Sequence, residues 1–180
     1  MGAKFSPTPR LLIVGASETG KTTLAKMIAR ELEKRTFAVT VYDPLISEWS
    51  PDALVSGDEE EFFSDLDAQY QAGKRQAVFI DEADTILSVA HRRNFWVLTR
   101  GRHFLLSPHV ITQRPALVAP TIRGQCNQAY VFQVSTADAK LLADDFACEG
   151  LRDAPNLQQG EYLHVHWKNK IKTLDRGRIF

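Results

Sequence analysis

The sequence predicts an α/β fold: a doubly wound, mostly parallel β-sheet that ends in a C-terminal β-hairpin. Three observations carry that expectation. Short apolar runs without alternation, Leu11-Leu12-Ile13-Val14 and Ala77-Val78-Phe79-Ile80, are what strands show when both faces are covered. Segments with helical period lie between such runs, as strand–helix–strand units require. The first run passes through a glycine-bearing loop, Gly15 to Gly20, directly into a helical segment.

Taken in order, residues 1–9 read as a flexible leader, because Pro7 and Pro9 oppose regular structure, and residues 10–180 as a single domain. Residues 10–14 form the first strand. Residues 21–35 form a helix with Leu24, Ile28 and Leu32 on one face. Residues 37–42 are β-branched-rich and form the second strand, ending in Asp43-Pro44. Residues 47–56 read as loop. A helix follows with Glu59, Glu60 and Glu61 in its first turn, where the dipole favours them, and Phe62, Phe63, Leu66 and Tyr70 on its apolar face. The strand 77–80 comes next, and residues 85–102 read as one helix with Phe95, Trp96 and Leu98 facing the core. Residues 105–112 form a strand around Val110 and Ile111. Pro120-Thr121-Ile122-Arg123 starts a short helix, and 129–134 form another strand. Ser135-Thr136-Ala137-Asp138 resembles a capping box opening a helix through Phe146. After a loop at 150–156 and a turn at Gln159-Gly160, strands at 161–167 and 171–174 flank a turn at Lys168-Asn169-Lys170.

The composition of the 180-residue chain is that of an ordinary globular protein with zero formal net charge, which neither favours nor excludes a nucleic-acid partner, since patches matter more than the sum. Cys126 and Cys148 lie far apart, outside any CxxC spacing. This argues against zinc-finger and disulfide frameworks and for a reduced, cytoplasmic compartment. No apolar run approaches a membrane span, and no secretory signal is visible. Met1-Gly2-Ala3-Lys4-Phe5-Ser6 fits a loose myristoylation pattern, but the pattern is short and often matched by chance, so the stretch reads as a plain disordered start.

The chemistry concentrates at strand ends. Gly15-Ala16-Ser17-Glu18-Thr19-Gly20-Lys21-Thr22 has the G-x-x-x-x-G-K-[ST] spacing of a phosphate-binding loop, in its strand–loop–helix context. Backbone amides from Gly15 to Thr23 can point at a phosphate, helped by the positive end of the helix. Lys21 can reach the β- and γ-phosphates of ATP, and Thr22 can place its hydroxyl on Mg²⁺. Asp81-Glu82 closes an apolar strand, as in the second half of an NTPase site: Asp81 for the Mg²⁺ shell, Glu82 to polarise the attacking water. Asp84 reads as a structural cap. Asp43 reads equally as a water-orienting carboxylate or as a turn initiator before Pro44. Gln113, in Thr112-Gln113-Arg114-Pro115, reads as a contact for the γ-phosphate or attacking water, or as part of a polar turn.

Two stretches are basic: His91, Arg92, Arg93, Arg100, Arg102 and His103, and then Lys168, Lys170, Lys172, Arg176 and Arg178. Each suits a solvated face, a DNA backbone or a neighbouring subunit. His164 and His166 share one strand face and, lacking a third ligand in the sequence, read as polar surface rather than as a metal site.

The order of these motifs, with Arg100-Gly101-Arg102, Thr112-Gln113-Arg114-Pro115 and Gln125-Cys126-Asn127 after the phosphate loop and Asp81-Glu82, resembles the FtsK/HerA superfamily of P-loop, RecA-like ATPases. Among them it looks most like the minimal genome-packaging ATPases of membrane-containing icosahedral viruses and phages. The resemblance spans residues 10–165. It implies an ATP- and Mg²⁺-dependent motor on double-stranded DNA, working as a homo-oligomeric ring, usually a hexamer. Capsid-vertex or membrane proteins are its expected partners, in a host cytoplasm or at a virion vertex. It also implies an arginine finger in trans, for which Arg102 and Arg123 are both candidates. A HerA-like or conjugation- or phage-assembly-type ATPase is the alternative setting. A GTPase switch is disfavoured because Asn169-Lys170-Ile171-Lys172 lacks the guanine-reading Asp. A kinase is disfavoured because no arginine-rich lid insert follows these motifs.

Overall fold

A computed structural model describes residues 9–168 and 171–180, with the side chain of residue 168 left out. Most of the expected leader, with its myristoylation pattern, and the turn residues Asn169 and Lys170 lie outside the described residues. Pro9 is tied in, its carbonyl accepting from Ser107 Oγ at 3.0 Å.

Eight strands form one sheet in the order β3-β2-β4-β5-β1-β6-β7-β8. They are β1 (Leu11–Val14), β2 (Ala38–Tyr42), β3 (Leu54–Ser56), β4 (Gln76–Ile80), β5 (Leu106–Thr112), β6 (Gln128–Val131), β7 (Glu161–Lys168) and β8 (Ile171–Arg178). The strands from β3 to β6 pair in parallel, and β7 and β8 add an antiparallel hairpin to the β6 edge. The doubly wound sheet and the hairpin are therefore as expected.

The pleat divides the core into two layers. Leu12, Val14, Val78, Ile80 and Val110 face one side, with Phe62 and Leu66 of α2 (Glu59–Gln71) and Leu142 of α5 (Thr136–Asp145) packed on them. Leu11, Ile13, Val39, Val41 and Phe79 face the other side, under Leu24, Ala25 and Ala29 of α1 (Lys21–Glu33). The caps follow the sequence: Asp58 accepts from the Glu61 amide at 2.9 Å, and Ser135 from the Asp138 amide at 3.1 Å.

Three local expectations are corrected. The 47–56 loop contains the edge strand β3, which borrows its ladder from β2. The loop expected at 150–156 instead lies within 3-10 turns at Glu149–Asn156 that bury Leu151 and Ala154. Residues 85–102 do not form one helix. They break into 3-10 turns at Val89–Phe95 and Gly101–Phe104 around the single turn α3 (Trp96–Thr99). The buried Asn94 side chain explains the break: its Nδ2 donates to the Ile86 carbonyl at 2.8 Å, competing with backbone pairing. Trp96 still packs inward, against Phe63 and Phe104 at ring separations of 6.0 and 5.1 Å.

Candidate nucleotide site

β4, β5 and β1 are neighbours in the sheet, and their carboxyl ends converge. Val14 pairs with Thr112 and Ile80 with Val110, so the phosphate loop, Gln113 and Asp81-Glu82 emerge at one level of one edge. This is the ligand edge of an open α/β sheet.

The loop is held from below and from one side. Ala16 N–H donates to the Gln133 carbonyl at 2.8 Å, and Thr19 Oγ1 to the Ala16 carbonyl at 2.8 Å. A Cβ at Gly15 would stand 2.6 Å from Phe132 Cβ and from Thr19 Oγ1, so the backbone follows a path only glycine permits. Gly20 adopts φ 111°, in the left-handed region that glycine favours, and leads into α1. Ala16, Ser17, Glu18 and Thr23 are exposed, leaving the rim of the loop open to a ligand.

Lys21 is buried, and its Nζ donates to the Ala16 carbonyl at 2.7 Å, across the mouth of the loop. Burial lowers its pKa from the ordinary lysine value, while the Asp81 and Glu82 carboxylates pull the other way. Thr22 Oγ1 donates to Asp81 Oδ2 at 3.2 Å, and the Glu82 amide to Asp81 Oδ1 at 2.9 Å. Burial pushes the Asp81 carboxyl above its ordinary range, and the Asp43 and Glu82 charges add to this against those two hydrogen bonds. A hydroxyl and a carboxylate, both hard oxygen donors, fit Mg²⁺.

Glu82 itself sits at φ 46° and ψ 46°, an uncommon left-handed conformation for a non-glycine residue. Gln113 Nε2 donates to Glu82 Oε1 at 2.9 Å. Thr112 Oγ1 donates to Asp84 Oδ1 at 2.9 Å, so Asp84 braces the β5 end.

A family model described as "ATPase family associated with various cellular activities (AAA)" matches residues 11–101, from β1 to the 3-10 turn before β5. That is just over half of the chain. The chain belongs to the AAA family of ATPases.

The fold of this AAA ATPase is shared with viral genome-packaging proteins and with a conjugation coupling protein. The DNA-packaging ATPase B204 from Sulfolobus Turreted Icosahedral Virus matches with TM-score 0.78 and 20% identity, over 96% of this chain and 100% of that one. The genome packaging NTPase B204 from Sulfolobus turreted icosahedral virus 2, in complex with AMPPCP, matches with TM-score 0.77 and 16% identity, over 97% and 99%. The pCW3 conjugation coupling protein TcpA, in its monomer form with ATPgS, matches with TM-score 0.68 and 16% identity, over 93% of this chain and 59% of that one. The expected likeness to minimal viral genome-packaging ATPases is thus met in the fold.

The remaining candidates of this AAA ATPase separate. Asp43, left open by the sequence, is a turn former. Its carboxylate accepts from Leu45 N at 2.9 Å, Ser47 N at 3.0 Å, Ser47 Oγ at 2.5 Å and Trp49 Nε1 at 3.1 Å. Burial opposes its ionisation, but these donors outweigh burial and hold the carboxyl below its ordinary range. Arg123, on α4 (Pro120–Arg123), is only 5% exposed. Its Nε contacts Asp145 Oδ2 at 2.6 Å, and its guanidinium donates to the Pro115 and Val118 carbonyls at 3.1 and 2.5 Å. It is committed inside its own chain, contrary to a reach into a neighbour. Arg102 is exposed in the 3-10 turn before β5, at the amino end of that strand. β5 is seven residues long, so Arg102 stands about 20 Å from its own Gln113.

The sequence did not reveal that the hairpin straps the phosphate loop. Gly160 N–H donates to the Thr19 carbonyl at 3.2 Å, Gln159 Nε2 donates to the Glu18 carbonyl at 3.1 Å, and Ile179 packs over Gly20. The Gln159-Gly160 turn was visible, but no spacing places it beside a loop 141 residues earlier.

Proposed function

We propose that this AAA ATPase is a motor that couples ATP hydrolysis to movement of double-stranded DNA, as in packaging a viral genome into a capsid. The observation that carries the reading is end-to-end similarity of fold to the B204 packaging enzymes, over 96–97% of this chain and 99–100% of theirs, together with the hydrolytic geometry at the β4–β5–β1 edge. Ring assembly, a hexamer by family analogy, and Mg²⁺ belong to the same proposal.

In this reading the amides of Gly15 to Thr23 and the Lys21 ammonium hold the triphosphate. Thr22 and Asp81 would hold Mg²⁺, which supplies charge neutralisation at the β- and γ-phosphates. Glu82 orients the attacking water and accepts its proton. Gln113 contacts the γ-phosphate or that water and, through its bond to Glu82, ties the two groups. Arg102 is the better trans finger. It is exposed and too distant to serve its own site, so a head-to-tail neighbour is the geometry in which it acts. Arg92, Arg100, Arg102 and His103 are each exposed and are the basic side chains best suited to DNA phosphates or to a neighbour.

TcpA's fold supports a second setting, a conjugation-type DNA ATPase, in which the same site chemistry serves DNA transfer. The test for both is ATP turnover with and without duplex DNA. A DNA motor is stimulated by duplex DNA at low salt and loses the stimulation as salt rises. Turnover indifferent to duplex DNA would sink the motor reading and leave the ATPase in place. Capsid assembly with and without the protein then separates packaging from transfer. No described helix is long and apolar enough to cross a membrane.

A further inference from the structure

We propose that His164, His166 and Asp175 form a Zn²⁺ site on the C-terminal hairpin, with two imidazoles, one carboxylate and an open fourth position.

The hairpin supplies the third ligand that the sequence lacked. His164 and His166 are two residues apart on β7, so they share a face. Asp175 of β8 pairs directly with His164 in the antiparallel register, and Thr173 pairs with His166. One ligand atom from each of the three side chains falls within a 4.8 Å cluster. His166 Nε2 already lies 2.7 Å from Asp175 Oδ2, and the two imidazole rings stack at 4.3 Å. Two imidazole nitrogens and a carboxylate oxygen are the donor set of open zinc sites, and three ligands leave the fourth position for water or for a group from another chain. Hard cations such as Mg²⁺ prefer oxygen-only sets, which separates this site from the Thr22–Asp81 pair.

Outer partners are in place as well. Gln128 Oε1 lies 3.3 Å from His164 Nε2, and Thr173 Oγ1 lies 3.2 Å from His166 Nε2 and 3.5 Å from its Nδ1, so polar neighbours flank both rings. Tyr130 stacks on His164 at 3.9 Å and fixes its plane. Asp175 is 67% exposed and His166 17%, so an ion has a path of entry from solvent.

The site matters because of what the hairpin does. The same two strands carry Gly160 and Ile179 onto the phosphate loop, and an ion bridging β7 to β8 cross-links the strap.

The test is calorimetric Zn²⁺ titration of the chelator-treated full chain in Mg²⁺ buffer, with Co²⁺ as a visible ligand-field probe. One Zn²⁺ per chain is expected. His166→Ala and the conservative Asp175→Asn should each weaken binding at least about tenfold, the scale on which even outer-shell partners act. Asp81→Asn should leave it unchanged. Circular dichroism checks that each variant is folded, and the exposed Asp175 carries the test if His166→Ala is not. Absence of stoichiometric uptake, or uptake that a folded variant of either ligand leaves intact, overturns the site.

Discussion

Gln113 Nε2 donates to Glu82 Oε1 across 2.9 Å, joining the ends of neighbouring strands β5 and β4. The bond holds the carboxylate that is assigned to the attacking water, in a residue whose backbone is itself left-handed. Glu82→Gln is expected to leave ATP binding intact and to lower kcat by about 10²–10⁴-fold, the scale of general-base loss. Gln113→Ala should lower kcat less. If the two residues act as one unit, the double variant is no slower than Glu82→Gln alone. Single-turnover hydrolysis beside equilibrium nucleotide binding reads both quantities. Wild-type turnover in Glu82→Gln would show that another group activates the water.

Arg102 is expected to act only on a neighbouring subunit. Arg102→Ala should reduce turnover by about 10³–10⁵-fold, as loss of an arginine finger does elsewhere. Its own phosphate loop remains whole, and Lys21→Ala retains its finger while losing its site. Mixing the two inactive proteins should therefore restore activity at interfaces that pair an intact site with an intact finger. A mixture as dead as its components would remove Arg102 from the role.

Arg123 is expected to show the opposite behaviour. Removing its guanidinium leaves Asp145 and the Pro115 and Val118 carbonyls without their donor. Arg123→Ala should cost about 3 kcal/mol in urea unfolding, the low end for breaking a buried ion pair, since Asp145 is 26% exposed. Mixing with Lys21→Ala should not rescue it. A variant as stable as wild type with turnover lost only in the assembled state would return Arg123 to the finger role.

The hairpin strap makes Gly20 sensitive in two ways. A side chain there must adopt φ 111° and displace Ile179, which lies against the α-carbon. Gly20→Ala is expected to lose about 1–3 kcal/mol of stability and to weaken nucleotide binding. Ile179→Ala should relieve part of the steric cost in the double variant, and a strictly additive double-mutant cycle would mean that strap and loop are not coupled.

Legibility in the sequence followed chain continuity. Gly15 to Thr22 could be read because strand, loop and helix are contiguous, and the motif states its own geometry. Asp81 and Glu82 could be read because an open parallel sheet gathers the carboxyl ends of its strands at one edge, which links Thr22 to a partner 59 residues away. Asp43 could not be decided, because the donors that fix it include the side chain of Trp49, whose orientation is a packing outcome. The helix expected over 85–102 failed on one buried amide, Asn94, that no periodicity marks as inward. The choice between Arg102 and Arg123 also turned on burial. One guanidinium lies in solvent and the other is clasped by three of its own chain's oxygens.

His109 gives the fold a pH dependence with a definite sign. It is fully enclosed on β5, stacks on Phe79 at 4.3 Å, and donates from Nδ1 to the Val78 carbonyl at 3.3 Å. Burial lowers its pKa from 6.5 to about 4, against the pull of the Val78 and Ser107 backbone groups. The unfolded chain therefore binds a proton that the folded chain refuses between those two values. The stabilisation is fully present above pH 6.5 and is lost as pH falls from there towards 4. Its size is on the order of 3 kcal/mol, because a tenfold change in proton affinity corresponds to about 1.36 kcal/mol. His109→Phe keeps a ring against Phe79 and removes the titration. Urea midpoints of wild type and variant, compared from pH 7 down to pH 5, should converge as acid erodes the wild type. Parallel curves would place the acid sensitivity in other groups.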